Sequence, residues 1–153
     1  MTANAQTMQR HLVCPHCRSV NRAPIQRPAS EARCGSCHEL LFTGHAVAVT
    51  EAEFNVHLRR NDIPVLVDMW APWCGPCKQM GPQFEAAAAR LEPHTRLIKL
   101  NVDEAQATAS RYNVRGIPAL LLFQNGKLLG QMAGLQKAEA IASWARSTAL
   151  AVH

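Results

Sequence analysis

An α/β domain with a mixed central sheet, preceded by a small metal-stabilised ribbon, is the fold class that this 153-residue sequence predicts. Three observations point to it. Apolar runs of strand length alternate with helix-period segments beyond residue 46. Two Cys-x2-Cys pairs stand within the first 37 residues. All three Trp, the single Tyr and all four Phe fall at or after Phe42, so the first 40 residues have almost nothing with which to build an apolar core. The boundary is placed between Phe42 and Ala46, giving a zinc-binding ribbon over 1–45 and an α/β domain over 46–153.

Residues 46–49 read as a short first strand. Thr50-Glu51-Ala52-Glu53 has the form of a capping box, in which a hydroxyl and a carboxylate each satisfy a free backbone N–H, and opens a helix to about residue 60. Residues 64–70 are nearly all apolar, the pattern of a strand covered on both faces, and Asp68 interrupts them. From 75 to 92, Met80, Phe84, Ala88 and Leu91 recur at helical spacing, with Pro82 expected to kink the helix. A strand over 96–102, a short helix over 105–112 and a strand over 119–124 follow. Asn125-Gly126 is a hairpin signal, with 127–132 as the returning strand. Ile141, Trp144, Ala145 and Thr148 give a final helix one packing face. The order predicts helices on both faces of the sheet.

Composition limits the function. Hydrophobic residues at 48% against 18% charged are enough to bury a core. The longest purely apolar run, Ala119 to Phe123, falls far short of the roughly 20 residues that cross a bilayer, so no membrane partner is expected. Residues 1–13 lack the apolar stretch of a secretory signal, which points to the cytoplasm. In a reducing compartment six cysteines are metal ligands or redox catalysts before they are staples. The net charge of +5 is spread out: residues 1–46 hold five Arg against Glu31 and Glu39, and no dense basic run appears, which disfavours nucleic acid.

Cys74 and Cys77 fall where the buried strand ends and a helix begins. There a thiolate meets unpaired N–H groups and the positive end of the helix dipole. Gly75 permits close approach, and Pro76 suits a first turn that needs no N–H. A Cys-x-x-Cys beside a βαβ pattern is a redox signature, one thiol to attack and one to resolve. A thiol pKa lowered by about 1.5 units raises the thiolate fraction at neutral pH about 16-fold, and a Brønsted slope near 0.45 returns about fivefold of that. The remaining gain of about threefold leaves most of the rate to docking of the target.

The run Val65-Leu66-Val67-Asp68-Met69-Trp70-Ala71-Pro72-Trp73-Cys74-Gly75-Pro76-Cys77-Lys78, followed by Pro82, Lys99-Leu100-Asn101-Val102-Asp103, Arg115-Gly116-Ile117-Pro118 and Asn125-Gly126-Lys127, resembles the thioredoxin family. With the four-cysteine extension, the whole chain is similar to its zinc-containing bacterial branch, the thioredoxin 2 type. Met69 departs from the Phe often found there. The resemblance implies a thioredoxin fold and an enzyme that reduces protein disulfides and is recycled by thioredoxin reductase. It further implies Cys74 as exposed nucleophile, Cys77 as resolving thiol, Asp68 as the buried carboxylate managing the Cys77 proton, Lys99 as its modulator, a cis Ile117–Pro118 bond facing the disulfide, and Trp73, Gly75, Pro76, Ile117, Pro118 and Gly134 as the platform on which the target docks. A monomer is expected. An Asp within an apolar strand would itself have a raised pKa, and a cis bond there would turn the Ile117 backbone toward an extended substrate.

Cys14, Cys17, Cys34 and Cys37 have the spacing of a four-thiolate zinc site, with two disulfides or an iron site as alternatives. A ribbon this small depends on the metal for its folding. Cys14-Pro15-His16-Cys17 resembles the active site of oxidising disulfide enzymes, but no buried strand precedes it and a second knuckle answers it. His16 and His38 are the alternative ligands. Competing readings are an adaptor with the ribbon as its binding module, an oxidase or isomerase, and a redox-regulated ribbon that releases zinc on oxidation.

Overall fold

The computed structural model describes residues 9–25 and 27–151. The segments in chain order are β1 (Gln9–Val13), β2 (Val20–Pro24), β3 (Val47–Val49), α1 (Glu51–Arg60), β4 (Val65–Trp70), α2 (Gly75–Leu91), β5 (Arg96–Asn101), α3 (Gln106–Arg111), β6 (Ala119–Gln124), β7 (Lys127–Ala133) and α4 (Ala138–Ala151). Short 3-10 turns stand at Ala29–Glu31 and Val102–Glu104. From β3 onward this is the order that the periodicity predicts, with ends moved by one or two residues. The antiparallel pair β1–β2 was not foreseen, because its strands are short and only partly apolar.

The five-stranded sheet runs β3-β5-β4-β6-β7, with β3, β5 and β4 parallel and β6 and β7 antiparallel to their neighbours. Strand alternation sorts its side chains onto two faces. Val65, Val67, Met69, Ile98, Leu100, Leu121 and Phe123 pack under Phe54 and Leu58 of α1. Leu66, Leu97, Leu120 and Leu122 pack under Met80, Phe84 and Leu91 of α2 and Ile141 and Ala145 of α4. Met69 is fully buried in the first cluster. The capping box is present: Thr50 Oγ1 accepts the Glu53 N–H at 3.2 Å and Glu53 Oε1 accepts the Thr50 N–H at 2.9 Å. Helix α2 runs without interruption through Pro82. At Gly130 a Cβ would come within 2.8 Å of Thr148 Cγ2, so the glycine lets α4 lie close on β7.

The ribbon does have a small core, contrary to the expectation from its composition, and it borrows part of it. Leu12, Ala23, Ala29 and Leu41 pack with Cys14, Cys34, Phe42 and Ile63, the last from the loop before β4. The outer edge of β1 is hydrogen-bonded to that loop: His11 N–H donates to Asp62 Oδ2 at 2.6 Å, Asp62 N–H donates to the His11 carbonyl at 2.9 Å, and Val13 N–H donates to Asn61 Oδ1 at 2.8 Å. Arg96, 1% exposed, donates to the Val13 and Leu41 carbonyls at 3.2 and 2.7 Å, pairs with Glu92 at 3.0 Å and stacks on Phe42. Glu92 also accepts the Gly44 N–H at 2.9 Å. A buried ion pair therefore ties the ribbon to the sheet at the N-terminal ends of β4 and β5.

Candidate active site and metal centre

Helix α2 begins where β4 delivers the chain, and Cys74 is its N-cap residue. Cys74 and Cys77 form a disulfide, with Cα atoms 5.2 Å apart. The Cys74 Sγ accepts the Cys77 backbone N–H at 3.2 Å, so one free donor of the helix N-terminus is aimed at the sulfur that attacks in the sequence reading. That donor favours a negative sulfur there. Cys74 is 6% exposed and Cys77 3%, which corrects the expectation of an exposed nucleophile. Packing with Ala71, Trp70, Val102 and Ile117 covers both, and Cys74 keeps the larger opening.

The rim above the disulfide is open. Trp73 is 68% exposed, and Gly75, Pro76 and Gly134 are exposed as well. Ile117 is half-buried, and its carbonyl lies 3.7 Å from the Cys74 sulfur. The Ile117–Pro118 bond is cis. Pro118 itself is buried, so it holds Ile117 in place and offers no surface of its own; its carbonyl accepts the Gly134 N–H at 2.9 Å. Gly134 has φ +103°, a conformation that glycine adopts without strain.

Asp68 lies in β4 at 1% exposure, and neither carboxylate oxygen has a hydrogen-bond partner among the described residues. Burial pushes its pKa up to about 7, and the Lys99 charge partly opposes the shift. Lys99 is the residue directly beside Asp68 on β5 and is half-buried, with its Nζ 5.0 Å from the Trp70 ring centroid. A carboxyl group poised near neutrality can hold or release a proton at working pH.

At the other end of the sheet, the Sγ atoms of Cys14, Cys17, Cys34 and Cys37 lie within 4.8 Å of one another. Cys14 and Cys37 are 3.6 Å apart and Cys17 and Cys34 3.5 Å. Those distances exclude disulfides and match the ~3.8 Å edge of a tetrahedron of sulfurs about 2.3 Å from a central ion. The two knuckles repeat one geometry. Arg18 N–H donates to the Cys14 carbonyl and His38 N–H to the Cys34 carbonyl, both at 2.9 Å, and Arg18 and His38 have φ of 65° and 66°. His16 N–H and Ser36 N–H donate to the Cys14 and Cys34 sulfurs, each at 3.3 Å. Such donors stabilise thiolate ligands and orient them. The His16 ring is engaged with the Leu40 carbonyl at 3.2 Å, and neither it nor His38 joins the cluster.

A family model described as Thioredoxin matches residues 45–147, about two thirds of the chain and the whole of the redox site. The chain belongs to the thioredoxin family. A second model, described as Thioredoxin 2, N-terminal, matches residues 13–39 and so covers all four ribbon cysteines. Thioredoxin C-3 of Corynebacterium nephridii is 32% identical over 133 residues, 87% of this chain and 91% of that protein. The thioredoxin of Haemophilus influenzae is 41% identical over 86 residues, 56% of this chain and 80% of its own length. Among solved structures, a mutant thioredoxin from Halobacterium salinarum aligns with a TM-score of 0.63 at 35% identity, over 70% of this chain and 93% of that one. The fold is the thioredoxin fold with an N-terminal zinc-ribbon unit, and the activity is that of a thioredoxin-type disulfide oxidoreductase.

Two features of this thioredoxin escaped the sequence reading. Trp73 is oriented by Asp103, whose carboxylate oxygens accept its indole N–H at 3.0 and 3.2 Å. Asp103 stands within a motif quoted above, but nothing in its spacing reveals a partner 30 residues away. The second is the Glu92–Arg96 pair, which joins the end of α2 to the start of β5 across Pro93 and is buried where the Val13 and Leu41 carbonyls of the ribbon close on Arg96. Among the described residues no helix is long and apolar enough to cross a membrane.

Proposed function

We propose that this thioredoxin reduces disulfides of partner proteins in the cytoplasm through Cys74 and Cys77, and that thioredoxin reductase returns it to the dithiol. The observation that carries this is a Cys74–Cys77 pair at the start of α2, its first sulfur held by a backbone N–H beneath an open apolar rim. In the dithiol form the Cys74 thiolate attacks one sulfur of a target disulfide. A Cys74–target mixed disulfide forms and one target thiolate leaves. Cys77 then gives its proton to the Asp68 carboxylate and attacks the Cys74 sulfur, which releases the second target thiolate and closes the Cys74–Cys77 disulfide. Two electrons pass to the target.

Lys99 keeps the Asp68 carboxyl from rising further in pKa. The target's backbone lies along Ile117 and Gly134, beside Trp73, Gly75 and Pro76, with Pro118 holding that wall in place. Cys14, Cys17, Cys34 and Cys37 hold one structural zinc in a ribbon over 1–45, and the thioredoxin domain spans 46–153. Held by four thiolates, zinc would supply folding energy to the ribbon and no catalytic chemistry. The chain acts as a monomer.

Insulin reduction with NADPH and thioredoxin reductase tests the reading. Cys74→Ser should abolish turnover, and Cys77→Ser should accumulate a mixed disulfide with insulin that a thiol reductant releases. Retained turnover in Cys74→Ser would end it.

A further inference from the structure

Neither the redox pair nor the thiolate cluster uses a cleft of about 590 Å³ on the ribbon, within the ~300–1,000 Å³ range of ligand-binding clefts. One wall is β2 from Asn21 to Pro24, the other is the turn from Arg27 to Arg33, and Leu41 contributes an apolar contact. Arg22, Arg27 and Arg33 line it against Glu31 alone. All three arginines are exposed, and among the described residues none makes an ion pair. Arg33 donates one N–H to the His38 carbonyl at 3.1 Å, which leaves most of its guanidinium open.

The hydrogen-bond phase of the ribbon sheet adds a second, independent observation. In an antiparallel pair, residues opposite one another alternate between exchanging both backbone bonds and exchanging none. His11 and Val13 turn their N–H and C=O groups away from β2, to Asp62, Asn61 and Arg96. Their partners Arg22 and Val20 must therefore point their own backbone groups away from β1. The Cys14 N–H to Ser19 carbonyl bond, one position along, has the phase this requires. Among the described residues nothing accepts from the Arg22 N–H or donates to its carbonyl. Among the described residues the outer edge of β2 is an open strand edge beside the arginine-lined cleft.

We propose that this edge at Arg22, with Arg27 and Arg33 across the cleft, is a docking groove that takes an extended acidic segment of a partner protein as a third strand of the ribbon sheet. Backbone bonds at Arg22 give the segment its register, and an acidic side chain directly opposite Arg22 lies on the same face, within reach of its guanidinium. The charge surplus selects against basic segments. Single-stranded nucleic acid would match the charges but finds no aromatic ring to stack on, because the ribbon before Phe42 has none. The groove belongs to the ribbon, which meets the domain at the N-terminal end of β4, whereas Cys74 lies beyond its C-terminal end, some 20 Å away at about 3.3 Å per residue. A segment bound there would tether a partner without covering the disulfide, and the inference stands apart from the redox reading.

The test is fluorescence anisotropy with the full zinc-loaded chain and a labelled seven-residue peptide of alternating Glu and Val. A Lys/Val peptide and an oligothymidylate serve as competitors, and zinc content is measured on every variant. Saturable binding that weakens about tenfold or more in Arg22→Gln/Arg27→Gln is expected, with insulin reduction unchanged. In the unmodified chain the peptide should slow hydrogen exchange of the Arg22 amide at least ~tenfold, a result that does not depend on any variant folding. Absence of saturable binding, equal binding by the double variant, unaltered Arg22 exchange, or tighter binding of either competitor than of the Glu/Val peptide would each overturn the proposal.

Discussion

Asp68 carries a chemical tension that only its neighbours resolve. Its carboxyl sits among apolar side chains with no hydrogen bond among the described residues, so burial favours the protonated form and holds the pKa near 7 against an ordinary value of 3.8. Between those two values the folded chain keeps a proton that the unfolded chain releases. The stability this residue confers is fully present below about pH 4 and is lost as pH rises through 7. Asp68→Asn should therefore stabilise the oxidised chain by about 4 kcal/mol at pH 8, at 1.36 kcal/mol per unit, with the gain vanishing near pH 4. Urea unfolding at the two pH values checks this, and an equal effect at both would contradict it. On the proposed role of Asp68 as acceptor for the Cys77 proton, the same substitution should lower insulin turnover near neutrality while the first attack by Cys74 persists.

Where β5 meets the end of α2, two charges are taken out of water together. Arg96 and Glu92 are nearly inaccessible, and their 3.0 Å pair is supplemented by the Val13 and Leu41 carbonyls on one side and the Gly44 N–H on the other. Burial drives the Glu92 pKa up and the Arg96 pKa down, and each partner's charge opposes the other's shift. Such a pair adds little over an apolar replacement but is costly to break by half. Arg96→Met should cost about 3–5 kcal/mol, and Arg96→Met combined with Glu92→Gln should cost less than the single change. A double-mutant cycle by denaturant unfolding measures the coupling; additive losses would show that the pair acts only through its ribbon carbonyls.

Across the whole molecule the two units differ in what holds them. The thioredoxin domain has a continuous core on each face of its sheet. The ribbon has a cluster of eight residues, two of them cysteines of the metal site and one, Ile63, on loan from the domain. Removing the metal with a chelator should therefore unfold residues 9–41 and leave the domain folded. Hydrogen exchange should show lost protection in the ribbon alone. Insulin reduction should persist, because the ribbon docks at the end of the sheet opposite Cys74. Loss of protection throughout α2 and β4 would show that the domain needs the ribbon.

Periodicity, capping and the two cysteine patterns were legible in the amino-acid order because each acts over short range. A short, nearly continuous apolar run such as Val65 to Met69 marks a buried strand from within, Thr50 and Glu53 cap a helix from three residues apart, and Cys14 and Cys17 can only form one knuckle. What only the tertiary structure decided depends on distant segments meeting. Asp103 reaches Trp73, Asp62 and Asn61 pair the edge of β1, and Arg96 becomes a buried charge once Phe42 and Leu41 close over it. Even the accessibility of Cys74, set by Ile117 from another strand's approach, was settled by packing. Local spacing carries no record of which desolvated surface a charge will face, because that energy is defined only when the chain has folded around it.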